Sequence, residues 1–265
     1  MSKTETEVAV VQNQLPAHMA FAQEDEGLGL GALGADDQAI PFVKLLQAIS
    51  KEVKKKSDQY VEGAEPGSIL EAVSGKVYEG EAGIVVVPVY VEPAWVEWAV
   101  GDAAGGYRGK HPNDTRLLDE TTRGPKGELL LDNGNQLVRT MYFYCLLLHD
   151  GGLFDQVVIS MARSQLKKAK AWNRQMKSTI VRRPDGTPFV APSFLFRYRL
   201  ASTTEASANG EFFNWRITQE GMLEDERIYR MARDFAASVE RGEVKTEPEG
   251  DERNPSSVSE ETIPF

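Results

Sequence analysis

The chain has 265 residues, 41% of them hydrophobic and 26% charged, an ordinary globular composition sufficient for one large domain or two small ones. It shows no apolar run near the roughly 18 residues that cross a bilayer, and its opening, "MSKTETEVAVVQNQ", lacks the basic-then-apolar order expected of a secretory signal. A single cysteine, Cys145, excludes an intramolecular disulfide and a zinc ribbon, and a formal net charge of −10 argues against a uniformly basic nucleic-acid binder.

Residues 1–39 hold one base, Lys3, against seven acids, net −6, and are rich in Gly and Ala ("EDEGLGLGALGADDQA"). Large apolar residues are too few to build a core, so a flexible acidic arm is expected. Next, "IPFVKLLQAISKEVKK" sets Phe42, Leu45, Leu46 and Ile49 at short helical spacing after a proline start, which predicts a helix. "GSILEAVSGKVYEG" and "GIVVVPVYVEPAWVEWAV" are β-branched, aromatic and bounded by Gly, and predict strands. Pro88 and Pro93 predict an edge strand or a bulge in the second of them, because proline cannot donate to a ladder.

Residues 101–136 form a long polar stretch, functional or mobile by its length, with a small hairpin expected near "GELLLDNG". Trp95 and Trp98 precede a Gly-rich loop carrying Tyr107, Arg108, Lys110 and His111. Two readings are open there: the loop closes over a strand of nucleic acid, or it is an insertion with its Trp pair buried. "GDAAGG" lacks the Lys-Ser/Thr ending of a phosphate loop. The three histidines, His18, His111 and His149, lack ligand spacing, and Asp102, Asp114 and Asp119 form no recognisable magnesium site. No catalysis, cofactor or metal is therefore expected.

"QLVRTMYFYCLLLHDGGLFDQVVISM" reads as two strands joined by a tight turn at His149, Asp150, Gly151 and Gly152. Cys145 lies in its apolar run and is expected to be a buried structural thiol in a reducing compartment. "SQLKKAKAWNRQMKSTI" is the clearest helix. On a helical wheel numbered from Arg163, the cations Arg163, Lys167, Lys170, Arg174 and Lys177 share an arc of roughly 80°. Ala162, Leu166, Ala169 and Met176 form a separate apolar stripe, and Trp172 falls opposite the cations, which predicts packing for it. Five like charges at this spacing repel one another. Such a face is compensated either by an external polyanion or by acids from elsewhere in the fold.

The following segment continues the trend. Arg182 and Arg183 precede a Pro-Asp-Gly turn, and in "FLFRYRL" alternation sets Phe194, Phe196 and Tyr198 on one face and Leu195, Arg197 and Arg199 on the other. Phe194 and Phe196 are expected in the core; Tyr198 is left between core and base stacking. Residues 160–200 thus hold ten Lys or Arg against one acid, Asp185. Cations that track phosphates, interleaved with rings that stack on bases, suit a single strand of nucleic acid. A second hairpin is expected over "PFVAPSFLFRYRLASTTEASANGEFFNWRITQEG", then a final helix over "LEDERIYRMARDFAASVERG", amphipathic through Ile228, Met231, Phe235 and Val239.

Residues 242–265 carry seven acids against Lys245 and Arg253, net −5, and read as a disordered acidic tail. The acidity therefore sits in the two ends, and residues 40–241 are near neutral, with one strongly basic segment.

The tail ends in "EETIPF". Glu260, Glu261, Ile263, Pro264 and Phe265 resemble the C-terminal tip of bacterial and phage single-stranded DNA-binding proteins, which end in acids followed by a short apolar tip. "IPFVKLLQAIS" and "VVVPVYVEPAWVEW" look like phage-encoded proteins of that class. The resemblance implies an oligonucleotide-binding barrel, and a tip that docks in pockets of replication or recombination proteins. Only two acids adjoin the tip, and Thr262 interrupts them, which departs from the usual pattern.

The expected fold is α+β, mainly antiparallel β, an OB-fold-like barrel with two or three helices between disordered acidic termini. The expected organisation is an arm at 1–39, a single-stranded DNA-binding domain at 40–241 and a tail at 242–265. The expected function is sequence-independent binding of single-stranded DNA in phage replication, recombination or repair, in the host cytoplasm, with no membrane partner and with self-association left open. Two alternatives stand beside it: a recombination mediator or strand-annealing protein, and a phage adaptor with little DNA affinity.

Overall fold

The computed structural model describes residues 40–100, 106–207 and 210–244, together with Phe21, Glu24 and Thr246. The expected arm at 1–39, apart from Phe21 and Glu24, and the docking tip at Glu260–Phe265 lie outside the described residues. The body runs a little past 241: Val244 packs against the core, and Thr246 makes a parallel bridge to Ile40.

The first strands are short. β1 (Val43–Leu45), β2 (Ile69–Glu71) and β3 (Val77–Tyr78) form a three-stranded antiparallel sheet. The helix expected over residues 40–55 is therefore a strand and turns. Val43, Leu45 and Ile69 are all buried in one apolar cluster, so pairing with β2 and burial of alternate side chains outweigh a weak helical spacing.

An eight-stranded sheet forms the body. It contains β4 (Ile84–Trp98), β5 (Tyr107–His111), β6 (Thr121–Arg123), β7 (Leu129–Leu131), β8 (Gln136–Leu148) and β9 (Phe154–Ala162). After β9 come α1 (Leu166–Ser178) and a separate hairpin of β10 (Ile180–Arg182) and β11 (Pro188–Val190). The long hairpin of β12 (Phe196–Ser207) and β13 (Gly210–Met222) completes the sheet, and α2 (Glu226–Glu240) follows. The strand order is β13-β12-β4-β8-β7-β6, with β5 also on β4 and β9 also on β8. The result is a mainly antiparallel α+β fold whose sheet curls into a half-barrel, consistent with the OB-like architecture expected.

β4 is central rather than an edge, despite its two prolines. It pairs with β8 along nearly its whole length, with β12 over Ile84–Val86 and with β5 over Trp95–Trp98. Pro88 and Pro93 fall in the intervening stretch, which is paired on one side only, and a register shift lies between Pro88 and Tyr90. The expected bulge is present; the expected edge is confined to the middle of the strand. The polar stretch before β8 is also more ordered than its composition suggests, because Gly127 and Gly134, both at positive φ, allow two tight turns that bring β6, β7 and β8 together.

The sheet buries both faces. One face carries Phe143, Cys145 and Leu147 of β8, Ile159 of β9, and Tyr198 and Leu200 of β12; β1 and α1 cover it, the latter through Ala169, Trp172 and Met176. The other carries Val87, Val96, Tyr142, Tyr144 and Leu146, and α2 covers it through Ile228, Ala232 and Phe235. The stripe of α2 is thus Ile228, Ala232 and Phe235 with Val239 beside them, whereas Met231 is exposed. Asp225 caps this helix, accepting from the N–H groups of Arg227 and Ile228.

Candidate nucleic-acid interface

α1 owes its place to packing rather than to local propensity. Trp172 stacks on Phe143 with centroids 4.4 Å apart and planes at 18°, and meets Tyr198 edge-on at 5.5 Å. Its N-terminus has no side-chain cap and no acid in the first turn, and Lys167 and Lys168 stand there against the helix dipole. Lys177 in the last turn is favourably placed. A helix that breaks local rules at its N-terminus and exposes a cationic row marks a conflict between stability and another requirement.

Lys167, Lys170, Arg174 and Lys177 are all exposed on this helix. Lys168 is tied to Glu205 at 2.6 Å, and that ion pair, with a hydrogen bond from Asn214, holds the Glu205 carboxyl below its ordinary value. Lys167 lies within electrostatic reach of the same carboxylate. Among the described residues no acid pairs with Lys170, Arg174 or Lys177. These three, with Asn173, Ser178 and Met141 of β8, line an open groove of about 470 Å³. The Asn173 side-chain amide donates to Met141 Sδ at 3.3 Å, fixing the strand side of the groove.

The sequence-derived candidates do not all join this groove. Arg163 is off the helix: it sits in the turn before α1 with φ 49°, and its guanidinium donates to Gln136 Oε1 at 2.7 Å. Burial pulls that guanidinium below its ordinary value. It serves the β9–α1 junction, not the cationic row. Tyr198 is 1% exposed and packs under Trp172, so its ring is closed to a base. Because Tyr198 faces α1, strand alternation turns Arg197 and Arg199 to the opposite side of the sheet. Arg199 there donates to Glu220 at 2.5 Å and to the Ala82 carbonyl.

Arg182 and Arg183 are exposed on the β10–β11 hairpin, which follows α1 directly in the chain. Arg182 donates to the Gly186 carbonyl, and Arg183 lies 4.8 Å from the Phe189 ring centroid. Of the β5 candidates, Lys110 is paired with Glu92 at 3.0 Å and lies over Tyr142 at 5.2 Å, on the face that α2 covers. Tyr107 meets Trp98 edge-on at 5.7 Å on that same face, and Arg108 is exposed.

The structure adds two side chains to the groove side. Met141 stands opposite Pro93 in the β4–β8 register, and Arg139 stands opposite Trp95, so all four share a face. The Arg139 guanidinium lies 5.0 Å from the Trp95 ring centroid and donates to Asn113 Oδ1. Partial burial pulls Arg139 below its ordinary value. Beyond Trp95, Glu97 accepts from Asn135 at 2.5 Å and Asn133 at 2.9 Å and meets His111 Nε2 at 2.8 Å; these contacts, Asn135 first, lower its carboxyl.

Among the described residues no group of three or more His, Cys, Asp or Glu is gathered to hold a metal ion, and no helix is long and apolar enough to cross a membrane.

Comparison with known proteins places a family model, described as Pam3 phage gp34-like protein, over residues 6–245. No curated protein and no solved structure matches the chain.

Proposed function

The chain belongs to the Pam3 phage gp34-like protein family, and from that premise we propose that it binds single-stranded DNA independently of sequence, along α1. The observation that carries this reading is the row of Lys170, Arg174 and Lys177, paired with no acid among the described residues, over an open groove on a helix with no acid in its first turn. Leaving such a row uncompensated costs stability. Phosphates would relieve it, and a groove tracks a flexible backbone without reading base edges. Lys167 precedes the row, and Arg182 and Arg183 continue it.

The acidic tail enters as a competitor and a recruiter. Beyond Thr246 the chain carries six acids against Arg253 and closes on Ile263, Pro264 and Phe265. Without DNA the acids approach the basic row; with DNA bound they are displaced, and the tip becomes available to a replication or recombination protein.

The direct test is a titration of labelled oligo(dT) at low and high salt. Binding that weakens steeply with salt is the expected result. Absence of salt-sensitive binding would rule the reading out in favour of an adaptor role.

A further inference from the structure

We infer that Trp95, backed by Arg139, is a base-stacking subsite at the strand side of the α1 groove; this rests on the reading of that groove as a single-strand binding path. Four tryptophans are present. Trp172 and Trp215 are each 1% exposed and Trp98 is 8% exposed, whereas Trp95 is partly open. Its indole N–H is buried without an acceptor among the described residues.

The setting is specific. Arg139 stands over the ring at 5.0 Å and is itself anchored on Asn113. A guanidinium layered on an indole offers a flat, cationic platform on which any base can stack, with a phosphate of the same nucleotide close to the charge. Met141 lies two residues from Arg139 on the same face of β8, about 7 Å along the strand, and Met141 lines the groove with Lys170, Arg174 and Lys177. One strand of nucleic acid therefore meets phosphate contacts on α1 and a stacking surface on β4. Glu97, the nearest carboxylate on that face of β4, is occupied by Asn135, Asn133 and His111.

The test uses the full chain and unlabelled tryptophan emission beside the anisotropy of labelled oligo(dT). Wild-type emission is expected to be quenched as the oligonucleotide binds. Trp95→Phe keeps a stacking ring, so its affinity should stay within about threefold of wild type while the quenching disappears. Trp95→Ala and Arg139→Ala should each weaken binding about tenfold, in line with the loss of one stacked base. If Trp95→Phe is quenched as wild type is, or if wild type binds by anisotropy without quenching, the subsite is overturned and the groove reading stands. If anisotropy shows no binding at all, the groove reading fails and takes the subsite with it. Should Trp95→Ala fail to fold, the Trp95→Phe comparison still decides.

Discussion

Cys145 is fully buried in β8, and burial pushes its thiol well above the ordinary value. A thiol that stays protonated and covered does not react. Native protein should therefore resist an aromatic disulfide reagent for as long as it stays folded and react stoichiometrically in denaturant; rapid labelling of the native state would contradict this packing. Glu97 gives a second residue-level expectation. Its folded-state value lies below the ordinary 4.5, chiefly through Asn135. The stabilisation is thus present above about 4.5 and is lost as pH falls through the lower folded value. The stability difference between wild type and Glu97→Gln, read from urea midpoints, should shrink as pH drops below that point. A difference that stays constant down to acid would show that the carboxylate's hydrogen bonds contribute nothing. At this scale the sequence was legible where alternation alone decides, as for Phe196 in the core. It was not legible where a partner strand decides. Arg139 reads as a lone cation in an apolar strand; only the β4–β8 register, shifted by the bulge near Pro88, sets it opposite Trp95.

Among the elements, α1 was the clearest in the sequence, because its apolar and cationic stripes separate on a wheel. What the wheel could not show is where the helix begins. Arg163 takes a left-handed backbone conformation that a non-glycine residue enters at a cost of about 1–2 kcal/mol, and this turns it out of the row. Since packing rather than capping holds α1, Trp172→Ala should destabilise the protein by about 3–5 kcal/mol through loss of the Phe143 stack and the cavity left behind. A loss under about 1 kcal/mol in chemical denaturation would mean that the helix is held otherwise. β1 shows the opposite case. Its apolar residues fit a helix locally, and only burial against the distant β9 and β2 makes it a strand.

Across the whole molecule, charge is segregated: acidic ends flank a body with its cations concentrated in residues 160–200. That partition was readable from composition, but the division of those cations between two sheet faces was not. α1 and the β10–β11 hairpin share one region, while Arg197 and Arg199 lie on the other side of the sheet. Removing the chain beyond Thr246 should leave the fold intact, because Val244 and the Ile40–Thr246 bridge are retained. It should tighten oligo(dT) binding at low salt or leave it unchanged. Weaker binding after truncation would contradict competition by the tail.

The central claim is that the α1 row neutralises phosphates. It is tested most directly by the slope of log affinity against log salt for oligo(dT), compared between wild type and a Lys170→Glu, Arg174→Glu, Lys177→Glu variant. Six contacts from Lys167, Lys170, Arg174, Lys177, Arg182 and Arg183 predict a slope of about −4, falling to about −2 or losing measurable binding in the variant. Equal slopes and equal affinities in the two proteins would contradict the account.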